Sequence, residues 1–402
     1  MHPKISTASV AFLMCGLLSL VTSCSSDESM VLDPEDASAQ GVIAAAYISP
    51  QLHALDSEST GYVLLIDDDG DASALETSGM ANPALAWSDQ GLFFGDVHHD
   101  YLLSLDGLSV SESPKTDYQH TLFTTAEGSV GLYNDGFTEN GYIEQVVEYD
   151  GEESTLTEVE GMYLATGMCD GQMYGVAEPT GRYADQAAQE GIENNGEAGF
   201  NALMLTQLTG TSSGTEELVA IHQVPDSDQW AFDSPCQDRV LRHLATRYDD
   251  EHSAGTPVLR SWNTSTGQFN EVELHYSDGR ALETTEFGFQ AHGTAPLSGG
   301  EDSYQWVSTA TYELMTTDIY TGETEPITEL DGHFDPATST LLTQFTDTHL
   351  WTLSFTHGDH AMVIRSYDRH TGDLDRTLEV AEFTDRLNDE DVLGGFAVQP
   401  QP

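Results

Sequence analysis

Residues 363–380 read VIRSYDRHTGDLDRTLEV, and residues 258–274 read VLRSWNTSTGQFNEVEL. The two match nearly residue for residue, and 313–330, ELMTTDIYTGETEPITEL, is a third copy. In each, apolar and polar residues roughly alternate, a Thr-Gly pair intervenes, and a second alternating run follows, which is the pattern of a half-buried β-hairpin. Four more divergent copies lie at 62–76, 101–110, 146–159 and 203–221. The seven turn glycines are Gly70, Gly107, Gly151, Gly214, Gly267, Gly322 and Gly372. Their spacing runs from 37 residues (Gly70 to Gly107) to 63 residues (Gly151 to Gly214), which suits one four-stranded sheet per repeat.

Upstream of the hairpins lie further strand pairs with tight turns. They include ALAWSDQGLFFGD (84–96), TLFTTAEGSVGLY (121–133), YLATGMCDGQMYGV (163–176), FDSPCQDRVLRHL (232–244) and TQFTDTHLWTL (343–353). In the sixth repeat the innermost strand is expected at FGFQAHGT (287–294), where His292 reads as a hydrogen-bonded structural histidine, with a channel-facing side chain as the alternative. Helical spacing is nowhere sustained, so an α/β fold is disfavoured. The first repeat lacks one strand, because 42–48 resembles a second strand, while an apolar segment, 392–398, is left over at the far end. The reading is an all-β, seven-bladed propeller of four-stranded antiparallel blades, closed by pairing the N- and C-terminal strands. Closure removes the exposed sheet edges that invite aggregation.

The Asp-x-x-Thr-Gly stretch at Asp368, Thr371 and Gly372, partly repeated at Asn263, Thr266 and Gly267, resembles the repeats of quinoprotein-like and YVTN-type propellers. Quinoprotein repeats carry a docking tryptophan a few residues after the glycine. This chain has Phe269, Pro326 and Leu374 there, so the resemblance implies the fold without a quinone. The N-terminus resembles a bacterial lipoprotein signal peptide: His2 and Lys4, an apolar run over 8–21, then Val21-Thr22-Ser23-Cys24 in the manner of a lipobox. That resemblance implies acylation of Cys24, which holds a protein to membrane by burying methylenes at about 0.8 kcal/mol each. Residues 25–40, SSDESMVLDPEDASAQ, carry five acidic residues and no aromatic, so they read as disordered. The expected organisation is a signal peptide over 1–23, an acidic tether over 24–40 and a propeller over 41–399. Its expected address is the cell membrane or outer membrane, facing away from the cytoplasm.

Acidic residues outnumber basic ones 68 to 12, for a net charge of −56, and the lysines are Lys4 and Lys115. Such a surface repels phosphate, which argues against nucleic acid as a partner and against docking on anionic headgroups. Cys169 and Cys236 occupy equivalent places, each just before the turn after an innermost strand, in MCDGQM and PCQDRV. Export favours disulfides, and adjacent blades would bring these two within pairing reach, so they are expected to pin blade four to blade five.

Chemistry-bearing residues gather in the loops that join second and third strands, which share one face of a propeller. They are His98, His99 and Asp100 in blade two, His252 after Asp249-Asp250-Glu251 in blade five, and His357, Asp359 and His360 in blade seven. The same face receives the longest insertion, 178–199, and long loops on rigid scaffolds are where binding sites are built. His357 and His360 have the spacing to give two imidazoles to a divalent metal. Blades two, five and seven are not neighbours, however, so one ion would not gather all three loops, and solvated turn residues are the competing reading. Gly210-Thr211-Ser212-Ser213-Gly214 fits a hydrolase elbow, but its flanks are strand-like on both sides, so it reads as a hairpin turn. Asp67, Asp69, Gly70 and Glu76 partly match a calcium loop whose first ligand would be Leu65, an apolar residue, so a turn is again the reading.

No catalytic residue and no cofactor is assigned, with a divalent metal as the alternative. The leading functional reading is a lipid-anchored module that binds a protein or small ligand on its loop face. It resembles in kind the propeller lipoprotein of outer-membrane assembly, which has eight blades. The alternatives are an exported propeller enzyme of lactonase or dehydrogenase type and an exported metal-binding chaperone.

Overall fold

The computed structural model describes residues 31–50, 59–139, 141–192, 202–212, 214–228, 231, 233–248, 255–287, 302–332, 338–357, 360–380, 383 and 391–400. Among these, the strands fall into seven sheets. Blade one runs, from the centre outward, through Asp391–Val398, Val42–Pro50, Gly61–Asp67 and Ala72–Thr77. The C-terminal strand thus closes the ring against the N-terminal one, antiparallel, with Ala44 opposite Val398 and Ala46 opposite Phe396. Blade two is Ala86–Ser88, Gly91–Gly95, His99–Ser104 and Gly107–Glu112, and blade three Gln119–Thr124, Ser129–Thr138, Gly141–Tyr149 and Ser154–Glu160. Blade four is Tyr163–Cys169, Gln172–Ala177, Ala202–Gln207 and Glu217–Gln223. In blade five the innermost strand is broken in two, Asp226–Asp228 and Cys236–Gln237, both paired to Val240–Tyr248, with Thr256–Asn263 and Phe269–Glu273 outside. Blade seven is Ser339–Phe345, His349–Thr356, Met362–Asp368 and Leu374–Val380.

Blade six departs from the expected pattern. Ser303–Val307, Glu313–Asp318 and Glu323–Glu329 are antiparallel, and a two-residue strand, His275–Tyr276, adds in parallel to the outer edge. That addition depends on Gly322 (φ 78°), where a side chain would collide with the carbonyl of Glu273 as the chain leaves blade five. His275 N then donates to Gly322 O at 3.0 Å. The expected innermost strand and His292 lie outside the described residues, apart from Phe287, which ends a short helix, Thr284–Phe287.

The repeated turn has a local cause. Asp368 Oδ1 accepts the amides of His370 and Thr371 at 2.9 and 2.8 Å, and Gly372 N donates to Asp368 O at 2.8 Å with the glycine at φ 76°. Asn263 and Asp318 do the same for Ser265 and Thr266, and for Tyr320 and Thr321. An acceptor side chain caps the turn, and the glycine takes the left-handed conformation that other residues resist. The same chemistry explains the calcium-like stretch, since Asp67 Oδ1 accepts the amides of Asp69 and Asp71. Strands Ala202–Gln207 and Glu217–Gln223 flank the Gly-Thr-Ser-Ser-Gly turn as a hairpin.

Blades are buried on both faces, which is why the second strand of blade one is apolar from Val42 to Ile48 instead of alternating. Ala44, Ala46 and Ile48 pack toward Trp351, Leu353 and Phe355 of blade seven. Ala45 and Tyr47 pack toward Leu92, Phe94 and Leu103 of blade two. Residues 31–40, expected in the free tether, are docked instead. Val31 bridges to Ala74, Ala39 N donates to Ser104 O at 2.9 Å, Ser38 Oγ donates to Leu105 O at 3.0 Å, and Ala37 and Ala39 are buried. This strap fastens blade one to blade two from outside.

Blade five also buries an imidazole. His243 is fully enclosed, its Nε2 accepting from Trp262 Nε1 at 3.3 Å, and burial, then the charge of Arg260, push its pKa down to about 3. The unfolded chain therefore takes up a proton below about pH 6.5 that the folded chain refuses. Stability should fall as pH drops from there, by about 1.4 kcal/mol per pH unit and about 3 kcal/mol by pH 4. Denaturant titrations of wild type and His243→Gln at pH 6.5 and pH 4 isolate this contribution. The variant should lose about 3 kcal/mol less over that span, and equal losses would remove His243 as the cause.

Candidate functional site

The blade-two loop is organised by a carboxylate that sequence reading passed over. Asp96, buried at the end of strand Gly91–Gly95, accepts the amides of His98 and His99 at 2.7 Å each, the amide of Ser78 at 3.1 Å and the phenol of Tyr101 at 2.6 Å. Burial alone would raise its pKa, but the Tyr101 hydroxyl and the three amides hold it below the usual carboxylate range. Burial and the neighbouring Asp96 in turn push the Tyr101 phenol up.

Expected together on the binding face, His98, His99 and Asp100 are separated by the structure. His98 is exposed and His99 about one-third exposed, with Nδ1 3.4 Å from Asp96 Oδ1. Asp100 is not a rim residue. Its side chain turns inward, where Oδ1 accepts Lys115 Nζ at 2.5 Å and Oδ2 accepts Ser154 Oγ at 2.8 Å. Lys115 also donates to His99 O at 2.7 Å. Burial pushes the ammonium pKa down, against the pull of Asp100. A strand alternates sides at successive residues, so His99 and Asp100, adjacent in the chain, cannot both face solvent.

In blade seven, His357 and His360 bracket the ring of Phe355. One imidazole lies edge-on at 5.2 Å and the other stacks at 5.8 Å between centroids. His357 Nε2 is 3.1 Å from Thr340 Oγ1, and His360 takes a left-handed φ of 54°. His252, Asp359 and Cys24 lie outside the described residues. Among the described residues, no group of three or more His, Cys, Asp or Glu could hold a metal ion.

Blades three and four carry the elaborations on this face. Strands Ser129–Thr138 and Gly141–Tyr149 run on past the point where the innermost strand begins, Gln119 pairing with Tyr133; Ser154–Glu160 stays alongside as far as Ile143, and the last pairs, Phe137 with Tyr142 and Thr138 with Gly141, form a two-stranded ribbon tip. The 178–199 insertion holds a helix, Gly181–Gln189, that sequence reading missed. Its one signal is Tyr183 and Ala187, four apart, both buried against Met204, Leu208 and Ile221. Arg182 is held by Glu216 and by Glu160, and Tyr183 Oη lies 3.2 Å from Glu216. Nearby at the seam between blades three and four, Glu144 is fully buried, 3.2 Å from the amide of Tyr163 and 3.3 Å from His120 Nδ1. Burial pushes this carboxyl pKa up, with His120 pulling it back.

The family model described as the β-propeller domain of YycP matches residues 38–189, less than half of the chain. No curated protein matches the chain in sequence. Among solved structures, hydrazine synthase of Kuenenia stuttgartiensis is similar at 8% identity and a TM-score of 0.47, over 80% of this chain and 90% of that one. A protein from Lactobacillus plantarum is similar at 12% identity and 0.47, over 88% and 98%. A quinoprotein alcohol dehydrogenase-like protein from Bacteroides thetaiotaomicron is similar at 8% and 0.39, over 88% and 91%. Likenesses this distant assign no activity.

Proposed function

We propose that this chain is an exported, lipid-anchored propeller that works as a binding module, engaging its partner on the face formed by the loops between second and third strands. The observation that carries the reading is the uneven elaboration of that face. On that face the second and third strands of blade three run on past its innermost strand, and blade four bears a helix-bearing insertion, and such additions to a rigid scaffold serve recognition. The Val21-Thr22-Ser23-Cys24 sequence and the Cys169–Cys236 disulfide support the address, because structural disulfides persist outside the reducing cytosol.

The test uses the full chain in its native host. Cys24→Ala should move the protein from the membrane pellet to the soluble extracytoplasmic fraction, and unchanged pelleting would remove the lipid anchor from the reading. A photo-crosslinking residue at position 137, on the ribbon tip, should give a discrete adduct. The same residue at position 110, on the outer edge of blade two, should give none. Equal labelling from both positions, or none from 137, would overturn the loop face as the binding surface.

A further inference from the structure

Phe137 is the most exposed of the large apolar side chains in the described residues, at 83%. It stands at the tip of the blade-three ribbon, where side-chain hydrogen bonds and two glycines shape the backbone. Asn134 Oδ1 accepts the amide of Gly136 at 2.8 Å, Thr138 Oγ1 donates to Gly141 O at 3.1 Å, and Gly136 and Gly141 take positive φ values of 81° and 132°. The ring is buttressed from below by Tyr142, buried and edge-on at 4.7 Å between centroids. An aromatic held in one place, with one face in water, loses little conformational freedom when a partner covers it.

The charge around the ring has one sign. Asp135 and Glu139 flank Phe137 and are exposed. The tip leans on the start of helix Gly181–Gln189, a Cβ on Gly141 lying 3.5 Å from Thr180 Cβ, and that helix exposes Asp185 and is followed by exposed Glu190. Its one cation, Arg182, is already neutralised by Glu160 and Glu216. A partner that covered Phe137 with neutral or acidic residues would leave these carboxylates dehydrated or repelled.

We propose that the ribbon tip, with Phe137 at its centre and Asp135 and Glu139 at its sides, docks a basic polypeptide segment in which arginine or lysine residues surround an apolar anchor. Guanidinium or ammonium groups would lie against the carboxylates and over the aromatic face, where cation–π attraction adds to ion pairing. This inference rests on the binding-module reading and names the partner's chemistry.

The probe is a fluorescein-labelled dodecapeptide of repeated Arg-Gly-Leu, titrated against the intact chain by anisotropy at 50 and 300 mM NaCl. Wild type should bind in the micromolar range and weaken severalfold at high salt. Phe137→Ala should weaken binding at least tenfold at both salt concentrations with an unchanged melting temperature, since the side chain is exposed. Asp135→Asn with Glu139→Gln should weaken it severalfold at low salt and flatten the salt dependence. The charge-matched control, Glu323→Gln with Glu325→Gln on the outer strand of blade six, should bind like wild type. An equal loss in that control would reduce the effect to net charge and overturn the proposal, as would equal binding of a Glu-Gly-Leu peptide. A discrete crosslink from position 137 without binding of the arginine probe would retain the binding module and remove its basic partner, so the two failures are distinguishable.

Discussion

Methionine in place of Lys115 should cost the folded protein about 3 to 5 kcal/mol, seen as a lower denaturant midpoint at unchanged slope. The ammonium is fully enclosed, donates to Asp100 Oδ1 at 2.5 Å and to His99 O at 2.7 Å, and lies 5.7 Å from the centre of the Tyr133 ring. Methionine fills a similar volume, so the loss is electrostatic. Asp100 would be left enclosed with Ser154 Oγ as its remaining hydrogen-bond donor, and a buried carboxylate without its counter-charge is costly. Neutralising the orphan tests that cause. Lys115→Met combined with Asp100→Asn should recover most of the loss, giving a coupling energy of about 2 kcal/mol or more. A single variant that loses less than about 1 kcal/mol, or a pair whose effects simply add, would show that the ion pair does not tie the blade-two loop to blade three.

That pair also marks where the sequence stops being legible. The repeated turns could be read because the cause is local in the clearest three: Asp368, Asn263 and Asp318 each cap the amides two and three residues ahead, and a glycine at positive φ follows. Ring closure could be read because a strand missing at one end matched an apolar segment left over at the other. Asp100 sits beside two histidines in a polar loop, and nothing within several residues shows that its partner is Lys115, carried by the connection to the next blade. The one available signal was scarcity, since a chain with two lysines has reason to place each. The docking of 31–40 was hidden for a related reason. Acidic composition predicts solvation, yet Ala37 and Ala39 are buried through backbone bonds that any sequence can make. Composition likewise concealed the helix at Gly181–Gln189, whose two buried residues are too few for a sustained period. Blade six shows the limit of counting by repeats, because the strand at its outer edge comes from the connection out of blade five.

Removing the disulfide should have an effect of the same size as removing Lys115, by a different route. Cys169 and Cys236 are joined with α-carbons 5.3 Å apart and a sequence separation of 67. The bond falls where the backbones of blades four and five approach closely. A side chain on Gly167 would collide with the carbonyl of Ser234, and Ser234 N donates to Thr166 O at 2.7 Å. Closing a loop of that length removes unfolded-state entropy equivalent to about 4 kcal/mol at 25 °C. The same two turns are also linked by Arg239 and Asp170 at 2.6 Å, but both side chains are about 61% exposed, so that pair should contribute well under 1 kcal/mol. Cys169→Ser with Cys236→Ser should therefore lower the melting temperature by about 5 °C, whereas Asp170→Asn should leave it nearly unchanged. Dithiothreitol should bring wild type down to the double variant and leave the double variant where it is. If reductant lowers both proteins equally, it acts elsewhere. If neither the reductant nor the double substitution moves the transition, the two blades are held together by their packed strands, and the bond adds nothing to the folded ring.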